Sequence, residues 1–414
     1  MGLFSKNFLW GSASSAHQVE GGAVNDWSGW EKANAKRLAR EAEKKYGHLP
    51  SWEQIKDQAT NPNNYISGHA CEHYRMFRED FDSAQALGHT AHRFSLEWSR
   101  IEPVEGRFDE TEIAHYREVI KALRARGIEP FVTLWHWTLP VWLAEKDGIL
   151  NRQFSEYFER YTTKVAKEFG VEICFWITIN EPEIYALNSH YRGIWPSQKT
   201  GFINFFRATH ALNRAHRNAY RVIKKINPNA KIGASLNTSY FESAGGRISN
   251  CMKWAVDWLW NMRFLRNIHN ELDFVGINYY FHNRIKGFWF NQNENKKISD
   301  MGWEIYPEGL YHVLLDLKRF QLPVYITENG VADMNDVFRA DFIRDHISEI
   351  NRAIAEGVDV RGYFYWSLLD NFEWDKGFWP RFGLIEVDYE TQKRKIRPSA
   401  FEYKKIIEES AIKP

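Results

Sequence analysis

Two glutamates stand where apolar, β-branched runs of the sequence stop. Glu328 follows the run 324–327 and precedes an Asn-Gly pair, which is typical of a turn. Glu181 follows the run 174–179 after one asparagine and precedes a proline, which prevents a strand from continuing. A carboxylate at the end of a buried strand is unfavourable unless it is paired or hydrogen-bonded, so both positions indicate a structural partner or a chemical use. Two such carboxylates can form the acid/base pair of a hydrolase.

The segments that must position these glutamates alternate between short apolar runs and longer amphipathic ones. The short runs predict eight strands, near 7–13, 91–97, 129–135, 173–180, 231–236, 272–280, 323–328 and 361–367. The amphipathic segments predict helices between them, for example at 110–126, 154–169, 204–226 and 338–356. Eight strand–helix units in alternation predict an α/β fold with a parallel sheet closed into a (β/α)8 barrel. We expect a single domain, residues 1–414, with an insertion at 21–74 after the first strand.

The carboxyl ends of the predicted strands carry polar and aromatic side chains. In chain order these include Gln18, Arg93, Glu97, His136, Asn180, Glu181, Asn278, Tyr280, Glu328, Trp366, Glu373 and Trp374. In a (β/α)8 barrel these ends meet at one face, which is where function resides. The sequence has neither a glycine-rich phosphate-binding motif nor an H-E-x-x-H metal motif, so we expect no cofactor and no metal. Glycoside hydrolysis needs only two carboxylates and groups that bind hydroxyls.

Aromatic residues are unusually abundant. The chain has 18 Trp, 19 Tyr and 28 Phe, and flat rings of this kind suit the apolar faces of sugars. A core that is simply rich in aromatic residues is the alternative interpretation. The formal net charge of +1 argues against general attraction to nucleic acid or an anionic membrane, and no apolar run reaches membrane-spanning length.

The three cysteines, Cys71, Cys174 and Cys251, do not have the spacing of metal ligands. We expect them to be reduced thiols in the core, which favours a cytoplasmic location. The first predicted strand begins close to the amino terminus and leaves no room for a signal peptide, which supports the same expectation.

Several motifs, in order along nearly the whole chain, resemble the signatures of glycoside hydrolase family 1. They include Phe-Leu-Trp-Gly at 8–11, Gln-Val-Glu-Gly at 18–21, Thr-Ile-Asn-Glu-Pro at 178–182, Ile-Thr-Glu-Asn-Gly at 326–330, and longer matches at 94–101, 135–140 and 366–374. The resemblance implies a retaining β-glycosidase on a (β/α)8 barrel.

By this resemblance Glu328 is the nucleophile and Glu181 the general acid/base. Arg93 and Tyr280 are expected beside Glu328, where a cation and a hydroxyl donor lower the pKa of a carboxyl group. Apolar surroundings and the nearby negative charge are expected to raise the pKa of Glu181, so that it starts protonated. In a retaining pair the two carboxyl groups lie about 5–5.5 Å apart, against roughly 6.5–9.5 Å in an inverting pair.

The remaining matches concern the sugar. Asn180 matches the residue that binds the 2-hydroxyl, and Trp366 matches an indole beneath the sugar ring. The full set of matched sugar-binding positions is Gln18, His136, Asn180, Tyr280, Trp366, Glu373, Trp374 and Phe382, with Arg93 and Asn278 in support. Glu97 matches a position that is not catalytic, so we interpret it as a structural acid.

The resemblance implies an exo-acting β-glucosidase with β-galactosidase or β-fucosidase side activity. Its substrates would be small-molecule or oligosaccharide β-glycosides, and the sequence leaves its oligomeric state open. A transglycosidase with the same carboxylate pair is an alternative. A sugar-binding barrel that has lost catalysis is disfavoured, because both Glu181 and Glu328 are present.

Overall fold

A computed structural model describes residues 4–412, in which eight parallel strands close into one barrel. The strands are β1 (Leu9–Ala13), β2 (Ala91–Ser95), β3 (Glu129–Trp135), β4 (Phe175–Asn180), β5 (Lys231–Ser243), β6 (Phe274–Ile285), β7 (Val324–Asn329) and β8 (Val360–Trp366). Each strand pairs with the next one in the chain, and β8 pairs with β1. The predicted (β/α)8 barrel is confirmed. An antiparallel ribbon of β9 (Ile385–Val387) and β10 (Arg394–Ile396) follows the barrel.

Helices connect the strands, and the predicted helices at 110–126, 154–169, 204–226 and 338–356 are all present. The helices are α1 (Ala16–Val19), α2 (Asp26–Tyr46), α3 (Trp52–Ala59), α4 (His73–Ala86), α5 (Trp98–Ile101), α6 (Glu110–Ala125), α7 (Val141–Ala144), α8 (Phe154–Phe169), α9 (Pro182–Tyr185), α10 (Phe202–Ile226), α11 (Arg247–Asp257), α12 (Arg263–Ile268), α13 (Pro307–Leu317), α14 (Arg339–Ala355) and α15 (Pro398–Ile412). At the start of α6 the Asp109 carboxylate accepts hydrogen bonds from the backbone N–H groups of Thr111 and Glu112 and so caps the helix.

Strands β5 and β6 are longer than the sequence predicted. They were expected to end at 236 and 280, but they run to Ser243 and Ile285 and stay paired over the added length. The polar residues beyond the predicted ends concealed this extension, because hydrophobic alternation no longer marks a strand once it leaves the core. The pair projects from the carboxyl end of the barrel. Strand β2 is shorter than predicted and ends at Ser95.

Aromatic side chains fill the interior of the barrel towards the amino ends of the strands. The rings of Phe131 and Phe175 stack with their centroids 4.2 Å apart. Phe364 and Tyr325 lie 4.7 and 5.3 Å from Phe131, and Phe274 lies 5.1 Å from Tyr325. Rings at this spacing form a continuous packed layer. The aromatic excess is therefore partly a property of the core.

The insertion at 21–74 packs against the carboxyl end of the barrel. It carries α2, whose Trp27 is fully buried. The Trp27 ring lies 4.6 Å from the ring of Trp374 and 5.2 Å from that of Trp195, centroid to centroid. The insertion therefore supports side chains at the functional face.

The cysteine prediction is wrong for two of the three residues. Cys71 is buried, but Cys174 and Cys251 are exposed. Cys174 directly precedes β4 and lies outside the strand, and Cys251 is on the outer face of α11. Between residues 4 and 412, no helix is both long enough and apolar enough to cross a bilayer.

The close approach of β1 to β2 predicts a stability difference between two glycine substitutions. A Cβ atom on Gly11 would lie 1.9 Å from the carbonyl oxygen of Ala91, and backbone cannot move aside cheaply. We expect Gly11→Ala to destabilise the fold by about 1–3 kcal/mol, on the scale of overpacking. Gly29→Ala is the matched control, because Gly29 lies in α2 with open space around it, and it should be neutral or stabilising by about 0.5–1 kcal/mol. Thermal or urea unfolding of both variants measures this, and equal stabilities would contradict it.

Candidate active site

Glu328 lies at the carboxyl end of β7 and is held by two donors. Its side chain is buried, with 4% of the residue exposed. Arg93 Nη1 donates to Glu328 Oε1 at 2.6 Å, and the Tyr280 hydroxyl donates to Oε2 at 2.9 Å. Both donors stabilise the ionised form of the carboxyl group. The predicted grouping of Arg93, Tyr280 and Glu328 is present.

Arg93 also holds the neighbouring strands. Its Nη2 donates to Asn180 Oδ1 at 2.6 Å, its Nε to Thr133 Oγ1 at 3.2 Å, and its Nη1 to the Thr327 carbonyl at 3.0 Å. The guanidinium, which is 1% exposed, therefore links β2 to β3, β4 and β7. It lies beneath the cavity and acts through Asn180 and Glu328.

Glu181 directly follows β4 and adopts a left-handed backbone conformation, with φ 41° and ψ 62°. This conformation is rare for a residue with a side chain, and such strain is common at functional sites. Its Oε1 accepts hydrogen bonds from Asn278 Nδ2 at 2.8 Å and Asn237 Nδ2 at 3.1 Å. No donor in the described part of the chain reaches Oε2, so this oxygen is available to a substrate.

The two glutamates differ in their electrostatic surroundings. Burial, and secondly the Glu328 carboxylate, raise the pKa of Glu181 to about 8. Burial also raises the pKa of Glu328, and Arg93 and Tyr280 oppose this shift without reversing it. Arg93 and Tyr280 each act to lower the pKa of Glu328, as expected, but desolvation outweighs both and the net shift is upward. Glu328 alone has a cationic partner, so a single negative charge on the pair resides there.

His136 is a buried ring in the wall of the cavity. Because Arg93 can only donate, the Asn180 atom that faces it must be oxygen, and Asn180 Nδ2 therefore donates to His136 Nε2 at 3.1 Å. Burial lowers the pKa of His136 well below its usual value, so the ring is neutral and its proton is on Nδ1. His136 Nδ1 is buried without a partner in the described residues, which is how a group awaiting a ligand hydroxyl is expected to look.

Gln18 and Glu373 form a second polar group at the cavity wall. Gln18 Nε2 donates to the Phe372 carbonyl at 2.8 Å, to Asn371 Oδ1 at 2.9 Å and to Glu373 Oε2 at 3.3 Å. Burial raises the pKa of Glu373 to about 8, although the nearby Lys376 ammonium opposes the shift. Among the described residues, Gln18 donates to Oε2 of this carboxyl group and no donor reaches Oε1, which therefore keeps acceptor capacity that a sugar hydroxyl could use.

One cavity collects nearly all the predicted residues. Those that line it are Gln18, His136, Asn180, Glu181, Tyr280, Glu328, Trp366, Glu373, Trp374 and Phe382. Arg93 and Asn278 do not line it but hydrogen-bond to residues that do. Glu97 lies outside the cavity, where its carboxylate accepts from the hydroxyls of Ser99 and Thr138 at 2.7 and 3.0 Å. This agrees with its interpretation as a structural acid.

Sequence reasoning missed part of the cavity wall. The additional lining residues are Trp137, Ile184, Asn188, Trp195, Asn237, Phe281, Trp303 and Lys376. Asn237 is the most informative of these residues, because it donates to Glu181 and no described residue donates to its own buried Oδ1. An asparagine within the apolar β5 segment was the available signal. The other residues are contributed by loops, by short helical segments such as α9 and by the extended β6, and the sequence pattern does not specify the positions of these segments.

The cavity at the carboxyl end of the barrel contains two buried carboxyl groups with different electrostatic surroundings, together with amides, an imidazole and indole rings. These are the groups that a glycoside hydrolase needs. The family model for glycosyl hydrolase family 1 matches residues 1–264 and 260–412, and the chain belongs to that family.

Relatives and solved structures agree with this assignment. β-Glucosidase A of Thermotoga maritima is 33% identical over 461 aligned residues, covering 99% of this chain and 98% of that protein. A β-galactosidase of Saccharolobus solfataricus is 31% identical, with 82% and 84% covered. The structure of a β-glycosidase from Pyrococcus horikoshii matches with a TM-score of 0.87 at 34% identity, covering 100% of this chain and 97% of that one. A Thermotoga maritima β-glucosidase in complex with castanospermine matches with a TM-score of 0.85 at 31% identity, covering 99% of both chains.

The raised pKa of Glu181 predicts how activity depends on pH. If the protonated form of Glu181 is required, kcat/KM should be sustained below pH 8 and fall as the pH rises through about 8. A dinitrophenyl glycoside, whose leaving group needs no proton, separates this effect from the ionisation of Glu373, which has a similar pKa. The decrease should be steep for an alkyl glycoside and shallow for the dinitrophenyl glycoside. Equal profiles for both substrates would contradict the assignment to Glu181.

Proposed function

We propose that this chain is an exo-acting retaining β-glycosidase that removes terminal β-D-glycosyl residues, with β-glucosidase as its main activity. The main support for this proposal is that Glu181 and Glu328 have different environments. Glu328 pairs with the Arg93 guanidinium, whereas the side-chain hydrogen bonds that Glu181 accepts within residues 4–412 come from amides alone, and its pKa is about 8. The matched proteins named β-glucosidase and β-galactosidase support a substrate range that includes both sugars. The single domain and a cytoplasmic location are also proposals, the second supported by free thiols at Cys71, Cys174 and Cys251.

In the first step, Glu328 attacks the anomeric carbon as the glycosidic bond breaks. The electron pair of that bond goes to the leaving oxygen, which takes the proton of Glu181. The product is a glycosyl ester of Glu328. Tyr280 and Arg93, which contact the two oxygens of Glu328, hold the attacking carboxylate in position.

In the second step, Glu181 acts as a base. Ester formation removes the negative charge of Glu328, which is the second cause of the raised pKa of Glu181 after burial, so the pKa of Glu181 falls and its carboxylate form is favoured. It then takes a proton from water as the water oxygen attacks the anomeric carbon, and Glu328 leaves. Two inversions give net retention.

Asn180 is proposed to bind the 2-hydroxyl of the sugar. Arg93 and His136 fix the orientation of its amide group, and a preorganised donor of this kind stabilises charge that develops in the transition state. His136, with its free Nδ1 proton, and Gln18 are proposed to bind other hydroxyls. The rings of Trp366 and His136 lie nearly parallel, with centroids 6.1 Å apart, and Trp366 is proposed as the floor beneath the sugar.

Alanine substitution separates the proposed roles of Glu181 and Glu328. Glu181→Ala should slow substrates with poor leaving groups most, and with activated aryl glycosides the glycosyl-enzyme should accumulate. Azide, which needs no base, should restore turnover and give the β-glycosyl azide. Glu328→Ala should slow every substrate whatever its leaving group, and azide should give the α-product. NMR of the azide products measures this, and a β-azide from the Glu328 variant would mean that the roles are reversed.

Glu373 is proposed to accept hydrogen bonds from the 4- and 6-hydroxyls. A flexible carboxyl group can serve either orientation of the 4-hydroxyl, so glucosides and galactosides should both be cleaved. Glu373→Ala should lower kcat/KM for both by about 10- to 100-fold, because the two sugar hydroxyls would lose their hydrogen-bond partner. Glu386→Ala, an exposed change on β9, is the control and should leave kcat/KM unchanged. Unaltered kinetics of the Glu373 variant on both sugars would place Glu373 outside the sugar site.

A further inference from the structure

A group of large apolar side chains is exposed at the carboxyl end of the barrel. Trp254 is 71% exposed, Phe288 69% and Trp289 74%. We call this group the aromatic patch, and its members are Ile248, Trp254, Trp258, Phe288, Trp289 and Phe290. Single exposed apolar residues are ordinary, but a contiguous cluster of this size indicates an interaction site.

The helical half of the patch is an apolar stripe that faces outwards. Ile248, Cys251, Trp254 and Trp258 follow one another at intervals of three or four residues along α11 and the turn after it, and all four are exposed. That spacing places them on one side of the helix. A helix on a globular surface normally buries its apolar stripe, and here that side is open.

The other half of the patch is the turn that follows β6. Lys286 and Trp289 exchange two backbone hydrogen bonds, of 2.9 and 3.0 Å, so that Phe288 stands at the tip. The Gly287 N–H donates to Ser249 Oγ at 2.8 Å, which joins this turn to the first residues of α11. The two halves therefore form one surface.

The segments that carry the patch hold more basic than acidic side chains. The segments 247–258 and 284–297 carry six basic side chains, Arg247, Lys253, Arg284, Lys286, Lys296 and Lys297, and two acidic ones, Asp257 and Glu294. Arg284 pairs with Glu242 and Glu294, and Lys296 pairs with Glu294. Among the described residues, no ion-pair partner reaches the four remaining cations, Arg247, Lys253, Lys286 and Lys297. The near-neutral total, from which the sequence predicted no attraction to membranes, conceals a local excess of cations.

We propose that the aromatic patch docks on an anionic lipid surface, with its rings in the interfacial layer and the surrounding lysines and arginines on the lipid headgroups. Aromatic rings at a protruding tip with basic neighbours are the features that favour interfacial binding. A second copy of this chain fits less well, because apposing two patches would bring two excesses of positive charge together. A neutral glucan would make no use of the cations.

Docking would place the active-site cavity close to the lipid surface. Phe281 lines that cavity, and the tip of the patch is only a few residues further along the same strand and turn. The proposal does not depend on the sugar specificity of the enzyme, and its test uses no glycoside substrate except as a check of folding.

Vesicle co-sedimentation tests the proposal. The wild-type chain should pellet with vesicles of phosphatidylcholine containing about 30% phosphatidylglycerol, less with phosphatidylcholine alone, and less as salt is raised. The double variant Phe288→Ser/Trp289→Ser should reduce binding by about tenfold or more, since two exposed rings lose their apolar contact. Lys296→Gln/Lys297→Gln should reduce binding to the anionic vesicles and leave binding to phosphatidylcholine unchanged.

Phe401→Ser is the matched control, because Phe401 is 54% exposed on α15 and lies outside the patch. It should pellet like the wild type, and all variants should keep wild-type kcat/KM on an aryl β-glucoside, which shows that they fold. Failure of the wild-type chain to pellet with the anionic vesicles, or equal pelleting of the wild type and the Phe288/Trp289 variant, would overturn the proposal. A wild-type dimer that the same variant converts to a monomer, without vesicle binding, would assign the patch to a second copy instead.

Discussion

The ion pair between Arg93 and Glu328 is the constraint on which the candidate site depends. A buried guanidinium must have its donors satisfied, and Arg93 uses them on Glu328, Asn180, Thr133 and the Thr327 carbonyl. These contacts tie the ends of four strands together. Arg93 thus sets the position of Glu328, the proposed nucleophile, and of Asn180, which is proposed to bind the 2-hydroxyl. Neither side chain needs to be ordered by the substrate.

The same pair makes two identical residue types chemically different. Glu181 and Glu328 are equally buried, with 4% of each exposed, so burial alone would raise both pKa values alike. Arg93 and Tyr280 favour the ionised form of Glu328, and that charge in turn favours the protonated form of Glu181. The neighbouring side chains therefore make one glutamate a base and the other an acid. Paired carboxyl groups generally acquire separate roles in this way.

Aromatic residues serve three separate purposes in this chain. A layer that includes Phe131 and Phe175 fills the barrel, indoles such as Trp366 line the cavity, and Trp289 belongs to the exposed patch. Composition alone could not distinguish these uses, because all three draw on the same rings. The extension of β5 and β6 beyond the rim creates the third, since it carries aromatic side chains beyond the reach of the core.

The sequence alone determined the barrel and most of the site. Strand periodicity is a local property that can be recognised in the sequence. The carboxyl ends of parallel strands meet at one face of the barrel. Glu181 at the end of β4 and Glu328 at the end of β7 were therefore expected to share a cavity, and they do. Tertiary structure alone decided the length of β5 and β6, the exposure of Cys174 and the contact of Asn237 with Glu181. It also decided the net direction of the Glu328 pKa shift. Each of these depends on which distant segments pack around a residue and how much water they exclude, and no local pattern of residues records that sum.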